Sequence, residues 1–411
     1  MRVAIIGTGL VGLGLAKRLC EYPEIDEIIC ADINPMQLNR ALREIRSDKL
    51  SVEAANAERF EDASKVISKA DVVFNGVPIW AGTSNILQAC LDLGAHYVDA
   101  GLGTFALLET LKRHDMFRDA GIVALPCLGT DPGMSNVLAG YLARHFDEVS
   151  EIRIRDGGMA KMRGREIFAT YSLTTFLREC AVRPIVYENG AFKRVPPLSR
   201  EEDFTFPAPV GPAKVYAVEH EEPVTLPQSI GKGIRYVDFK LALTREVLQS
   251  MRVLLKLGLL SDAPIEVKGA RVAPRDLLVA LLSGPQDAER MQHVEGFEAI
   301  MVKVSGRRKG EAATASAFLY MTHKDALSKY GETATVFLTS LGIAIGIRML
   351  AKGQVQGMGV IPPEKLDALT YLVYMAEQGV VPVLSGIEGL ELPALVAKGE
   401  GQKTVPGASA A

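Results

Sequence analysis

Residues 1–32 constrain this chain more than any other stretch. An apolar strand-like run at 2–6 leads into Gly7-Thr8-Gly9-Leu10-Val11-Gly12, a helical pattern follows at 10–21, and a second strand-like run at 27–31 is followed at once by Asp32. In that context the first glycine permits a tight turn, the second lets backbone approach a pyrophosphate, and the third lets the helix sit close on the strand. The pyrophosphate charge would meet the free N–H groups of the helix N-terminus. A βαβ unit of this kind must bury its strands on both faces, so it implies a parallel sheet covered by helices.

The next hundred residues keep that rhythm. Strands are expected at 50–53, 71–75, 96–99 and 122–125, separated by helices at 35–45, 60–69, 82–93 and 104–120. The fold class expected is therefore α/β, a Rossmann-type doubly wound parallel sheet interrupted by an α+β substrate domain with a mixed or antiparallel sheet. After Pro126 a helix is expected at 133–146, then strands of the second sheet at 151–154, 184–187, 213–217, 265–267 and 299–304. The basic run 306–310 reads as a solvated hairpin turn. The apolar, small-residue-rich run 332–352 reads as a buried helix, ended by Gly-Val-Ile-Pro-Pro and placed to return to the first domain. The domain expectation is 1–130 plus 331–398 for cofactor binding, 131–330 for substrate and dimerisation, and a disordered tail at 399–411, where large apolar side chains run out.

Composition matters here for what it excludes. A formal net charge of −3 on 411 residues provides no basic field for nucleic acid or anionic lipid. No apolar stretch is read as approaching the roughly 18–20 residues that span a bilayer, and a cytoplasmic location is expected. The five cysteines, Cys20, Cys30, Cys90, Cys127 and Cys180, form no CxxC pair and have no histidine at zinc spacing, so buried reduced thiols and no metal site are expected.

The acid at the second strand end carries cofactor choice. Asp32 can accept hydrogen bonds from both adenosine ribose hydroxyls, whereas a 2′-phosphate would bring like charges together, and Ile33-Asn34-Pro35 supplies no arginine to compensate. NAD is expected rather than NADP, held by Gly7, Thr8, Gly9, Leu10, Val11, Gly12, Asp32 and Ile33, with Asn56 and Ala57 after the third strand. Asn75, Gly76, Val77 and Pro78 end the fourth strand, and Asp99 and Gly101 end the fifth, at the carboxyl edge where the nicotinamide half belongs. Asp99 could equally be a turn cap. Trp80 could wall the nicotinamide or pack in the core.

These motifs together resemble the saccharopine dehydrogenase superfamily: GTGLVG, the VDAG strand end, the loop Gly129-Thr130-Asp131-Pro132-Gly133-Met134, and the segment VKGARVAPRDLL. Within it they are most similar to lysine 6-dehydrogenases, over residues 1 to about 390. The resemblance implies a Rossmann domain with an inserted substrate domain, assembly as a homodimer, and NAD(P)-linked oxidation of an amine-bearing carbon of an amino acid or diamine. Lysine would be oxidised to its semialdehyde. Two departures bear on the substrate. Asp131 stands where lysine 6-dehydrogenases carry a small apolar residue, as in saccharopine reductases, and Arg235-Tyr236-Val237-Asp238-Phe239 replaces an Arg-Tyr-x-Gly-His run. The alternative is reductive joining of an aldehyde to an amine, as saccharopine or carboxynorspermidine reductases do; a third reading is an NAD-binding regulator without turnover.

Four second-domain residues are candidates for the chemistry. Asp131 could bind a substrate ammonium or relay its proton, or cap the helix after Pro132. Arg235 offers a bidentate carboxylate anchor, or is a surface strand residue. His220, flanked by acids that raise its pKa, could act as base or sit exposed in a turn, and Glu222 could pair with a distal ammonium.

Overall fold

The structure is a computed structural model and describes residues 1–78, 81–283 and 290–392. Its first sheet is built from β1 (Arg2–Ile6), β2 (Glu27–Asp32), β3 (Leu50–Ala54), β4 (Val72–Asn75), β5 (His96–Asp99), β6 (Val123–Leu125) and, far along the chain, β18 (Gly359–Val360). All pair in parallel, in the order β3-β2-β1-β4-β5-β6-β18. The order reverses between β1 and β4, which opens a ligand crevice at their carboxyl ends. The middles of β1, β2, β4, β5 and β6 are apolar and buried because α1 (Leu10–Glu21), α2 (Pro35–Glu44), α3 (Phe60–Ile67), α4 (Thr83–Leu93), α5 (Thr104–Leu111) and α6 (His114–Asp119) help to cover them, whereas the edge strand β3 is half-exposed.

Local chemistry sets several boundaries. Asn34 caps α2, accepting the Met36 N–H at 3.0 Å, with Pro35 at the first helical position. The single helix expected at 104–120 is instead α5 and α6, with a break at Lys112 and Arg113. The two halves face different partners. Leu107 of α5 packs with Cys127, Ile185 and Val224 towards the second domain, while Phe117 of α6 is fully buried against the first sheet.

α7 (Met134–Ala143) leads into the second domain. There β7 (Glu148–Asp156) lies between β13 (Tyr236–Ala242), which pairs with it in parallel, and the long β16 (Glu295–Arg308), which pairs antiparallel. β17 (Glu311–Thr322) forms a twelve-pair hairpin with β16 around the basic turn. β8 (Met159–Lys161), β9 (Ile185–Glu188), β10 (Ala191–Arg194), β11 (Ser199–Thr205) and β12 (Pro212–Ala217) complete a mixed sheet with β19 (Val383–Ser385), and α8 (Leu173–Glu179) and α9 (Glu222–Ile230) are among the helices beside it. β14 (Ile265–Val267), expected in this sheet, pairs instead with β15 (Ala270–Val272) in a separate two-stranded hairpin among the described residues. Gly269 at φ +82° makes their turn, and both strands are largely exposed.

The return segment divides between the domains. The helix Ala334–Ala351 packs on α1, and β18 joins the first sheet, but β19 pairs with β17 of the second. Buried Arg18 of α1 reaches Glu332 at 2.8 Å and lies over the Phe337 ring at 4.5 Å. By length and composition this 18-residue helix meets the requirement for crossing a membrane, contrary to the reading that no apolar stretch approaches it; here 72% of it is buried inside the protein. The tail at 399–411 and Trp80 lie outside the described residues.

Candidate active site

The glycine loop is shaped as a cradle. Gly7 has φ +98°, and a Cβ there would fall 2.6 Å from the Gly76 backbone; a Cβ on Gly12 would fall 2.2 Å from Gly7 O. The turn, the helix and the β4 strand end are therefore in contact, with no room for side chains. Asp32 Oδ2 accepts the Thr8 N–H at 2.7 Å and Oδ1 accepts the Asn34 N–H at 2.8 Å, which fixes the carboxylate beside the loop. Ile33 is exposed next to it, and Asn56 and Ala57 follow β3 on the same edge. These residues fit the adenosine and pyrophosphate of a dinucleotide.

Beyond them a cavity of about 250 Å³ opens between the two domains, lined by Val11, Asn75, Gly76, Val77, Pro78 and Gly101 on the first-domain side. Asn75 is buried, donating to Tyr97 Oη at 3.1 Å and Thr83 Oγ1 at 3.2 Å. Asp99 does not line the cavity. Its Oδ1 accepts the Gly101 N–H at 2.8 Å and the Cys127 N–H at 2.9 Å, so it ties two loops together as a cap rather than touching ligand.

The second-domain wall carries the chemistry. His220, expected in an exposed turn as one possibility, is buried, its ring stacked on Phe239 at 3.5 Å between centroids. Its Nδ1 lies 2.9 Å from Glu222 Oε2, and Ser135 Oγ donates to Glu222 Oε1 at 2.9 Å. Burial alone would lower the imidazole pKa, but the Glu222 charge and hydrogen bond outweigh it and raise it to about 9. Glu222 sits behind His220 with no exposed surface, so it orients the ring rather than meeting a distal ammonium. Arg235 is not in the cavity. It precedes β13, gives its backbone N–H to Ser150 O, and points to solvent.

The cavity's guanidinium is Arg178, at the end of α8. It pairs with Glu219 Oε2 at 2.7 Å and crowds the backbone of Gly103, whose φ is +93°. Glu219 also takes the N–H and hydroxyl of Thr104, and Glu221 takes the Gly103 N–H at 2.6 Å, so two second-domain carboxylates dock on the N-terminus of α5. Glu179 accepts the Tyr171 hydroxyl at 2.6 Å. Burial pushes Glu179 to about 7 and Glu221 to about 8, with His220 opposing in both. Asp131, Asp156 and Glu298 also line the cavity.

Of the chemical candidates, the structure thus brings Asp131 and His220 together in the cavity, places Glu222 beneath His220, and leaves Arg235 outside. The sequence reading missed Asp156, Arg178, Glu179, Glu219, Glu221 and Glu298. Asp156 follows the strand run RIR directly and Glu219 and Glu221 flank His220, so those three carried a local signal; Arg178, Glu179 and Glu298 carried none.

Residues 129–380 match the family model described as the saccharopine dehydrogenase C-terminal domain, and residues 3–125 match the saccharopine dehydrogenase NADP binding domain. A carboxyaminopropylagmatine dehydrogenase from Synechocystis sp. is 26% identical over 387 residues, covering 92% of this chain and 96% of that protein. A carboxynorspermidine synthase from Vibrio cholerae is 26% identical over 402 residues, with 92% and 95% covered. Among solved structures, apo saccharopine dehydrogenase (L-Glu forming) from Saccharomyces cerevisiae superposes with a TM-score of 0.71 at 14% identity, covering 94% of this chain and 99% of that one, which is a likeness of fold.

Proposed function

We propose, from the premise that this chain belongs to the saccharopine dehydrogenase family and is an NAD(P)-dependent dehydrogenase, that it reductively joins an aldehyde-bearing amino acid to an amine. The observation carrying this reading is His220, locked to Glu222 inside the cavity that adjoins the nicotinamide edge and raised to about 9. A group that keeps its proton at neutral pH is an acid, and imine reduction needs one at nitrogen. The names of the relatives, one a synthase, support the same direction.

Aldehyde and amine condense to an imine with loss of water. Nicotinamide, when bound, supplies the hydride to the imine carbon. His220, with Nδ1 committed to Glu222, gives a proton from Nε2 so that nitrogen is left as a secondary amine. Arg178 holds the carboxylate of the amino-acid partner through its fork of donors, with Glu219 fixing its orientation. The two domains enclose the cavity and limit water, which protects the imine from hydrolysis.

NAD is the cofactor supported by Asp32, whose carboxylate is held at the ribose position by two backbone N–H groups and would meet a 2′-phosphate as a like charge. A cytoplasmic homodimer is part of the same reading. The test is absorbance at 340 nm. NADH should be consumed only when an amino-acid semialdehyde and an amine are both present; NADH formation from lysine alone, with no consumption in the paired assay, would favour oxidative deamination instead.

A further inference from the structure

Behind His220, away from the cavity, a line of polar side chains continues past Glu222. Ser135 Oγ donates to Glu222 Oε1 at 2.9 Å, and the neighbouring Asn136 bonds in three directions. Its Oδ1 accepts the Gly133 N–H at 3.0 Å, while its Nδ2 donates to Glu364 Oε2 at 2.9 Å and to Thr225 Oγ1 at 3.3 Å. A backbone N–H can only donate, so the Gly133 bond settles which end of the amide faces which way, and the NH2 end is left for the Glu364 carboxyl. Ser135, Asn136 and Glu222 are all buried.

Three elements meet at this point. Ser135 and Asn136 lie in the opening turn of α7, Glu222 and Thr225 in that of α9, and Glu364 in a short 3₁₀ turn (Pro363–Lys365) just after β18. By accepting the Gly133 N–H, Asn136 closes the opening turn of α7 and fixes the backbone that carries Ser135. Through Nδ2 it ties that turn to α9 and to the return segment. Glu364 is itself firmly placed. A Cβ on Gly140 would fall 2.9 Å from Glu364 O, so α7 lies directly on the Glu364 backbone. Just upstream, β18 pairs with β6, and His114 of α6 takes the Val360 N–H at 3.1 Å.

We propose that Asn136 and Glu364 are positioning residues for the proton donor: they hold the opening turn of α7 so that the Ser135 hydroxyl stays on Glu222 Oε1 and Glu222 Oε2 stays on His220. The proposal deepens the reductive reading and rests on it for the role of His220. Neither residue lines the cavity, and Glu364 is not among the charges that act most strongly on the ring. Those are Glu222, Glu179 and Glu221; the ring in turn acts on Asp156, and Asp131, Glu298 and the Arg178–Glu219 pair share the cavity with it. Glu364 therefore works through hydrogen-bond geometry rather than through its charge. Without the tether the turn relaxes, Ser135 drifts from Glu222, and the carboxylate is free to rotate away from the ring. Because Glu364 arrives on a segment anchored in the first sheet, the donor in the second domain is braced from the first.

Titration of the His220 ring by NMR tests this without turnover, on the full chain labelled at its six histidines, with the His220 resonance identified by its loss in His220→Asn. The parent midpoint should lie near 9. Glu364→Ala should lower it by about half a pH unit and Ser135→Ala by about one. Glu364→Gln, which keeps an acceptor for the Asn136 N–H and drops only the charge, should restore the parent midpoint. Asn136→Ala also removes the cap of α7 and can unfold the turn, so the two Glu364 variants, which leave the helix's own bonds intact, carry the test. In the reductive assay the alkaline limb of kcat/KM should fall in step with the midpoint, with KM for NADH unchanged. A midpoint that holds in Glu364→Ala, or that falls as far in Glu364→Gln, would overturn the tether. A midpoint that falls while the kinetic limb stays put would leave the tether standing and remove His220 as the proton donor. No reductive turnover in the parent would remove the reductive reading and leave the midpoints to decide the tether.

Discussion

Glu222→Gln isolates what makes His220 an acid. The substitution keeps the shape and a hydrogen-bonding group between Ser135 and the His220 ring but removes the largest charge that opposes burial, ahead of the smaller contributions of Glu179 and Glu221. With Glu222 present His220 titrates near 9. Without it burial dominates, and the imidazole should titrate at or below its ordinary value of about 6.5. At pH 8 the protonated fraction then falls from about 90% to about 3%, a loss of roughly 30-fold or more, while at pH 6 it falls only to about 75%, a loss of about 1.3-fold, for a value of about 6.5. The assay is the pH dependence of kcat/KM in the reductive direction, which reports the free enzyme. The alkaline limb should move from near 9 to 6.5 or lower. A variant slowed equally at pH 6 and pH 8, with its limb unmoved, would refute His220 as the proton donor.

Three further outcomes follow from the same geometry. Gly12→Ala should abolish NADH binding in a fluorescence titration, since the new methyl would lie 2.2 Å from Gly7 O and force the turn open; unchanged affinity would mean that the loop does not hold the pyrophosphate. Asp32→Ser should raise KM for NADH roughly tenfold or more and lower it for NADPH, and a variant with both constants unchanged would remove Asp32 from cofactor choice. The ligand-free protein should lose thermal stability by several degrees from pH 5 to pH 9. Glu179, Glu221 and His220 all hold protons more tightly folded than unfolded, so the stability they add below their unfolded values is lost as pH rises through about 7, 8 and 9. A melting temperature that rose across that range would contradict the buried placement of these groups.

The cofactor half of the site was legible because its requirements are local. Turn, close approach and helix packing are met by glycines within six residues, and the ribose acid ends the very next strand, so spacing along the chain and geometry in space coincide. The same holds for β1 to β6 of the first sheet, whose positions were readable from apolar runs, and for the helix Ala334–Ala351 that closes on α1, but not for β18, where the run Gly359-Val360 read only as the end of a helix.

Arg235 shows where that logic fails. The residue type was right for a carboxylate anchor, but the guanidinium that reaches the cavity is Arg178, from a helix nearly sixty residues earlier. Which face of a strand or helix meets the cleft depends on how the mixed sheet is stacked against the first domain. Helix 104–120 fails likewise, because its break answers to two different packing partners rather than to its own periodicity.

By itself the sequence determined a dinucleotide cradle, its acid at Asp32 and the alternation that builds a doubly wound sheet, all properties of contiguous residues. Only the tertiary structure decided that Glu222 lies beneath His220, that Arg178 rather than Arg235 enters the cavity, and that Asp131, Asp156 and Glu298 line it together. Charges from separate elements acquire their protonation states and partners only when burial brings them within a few ångströms, and that distance is written in no single segment of the chain.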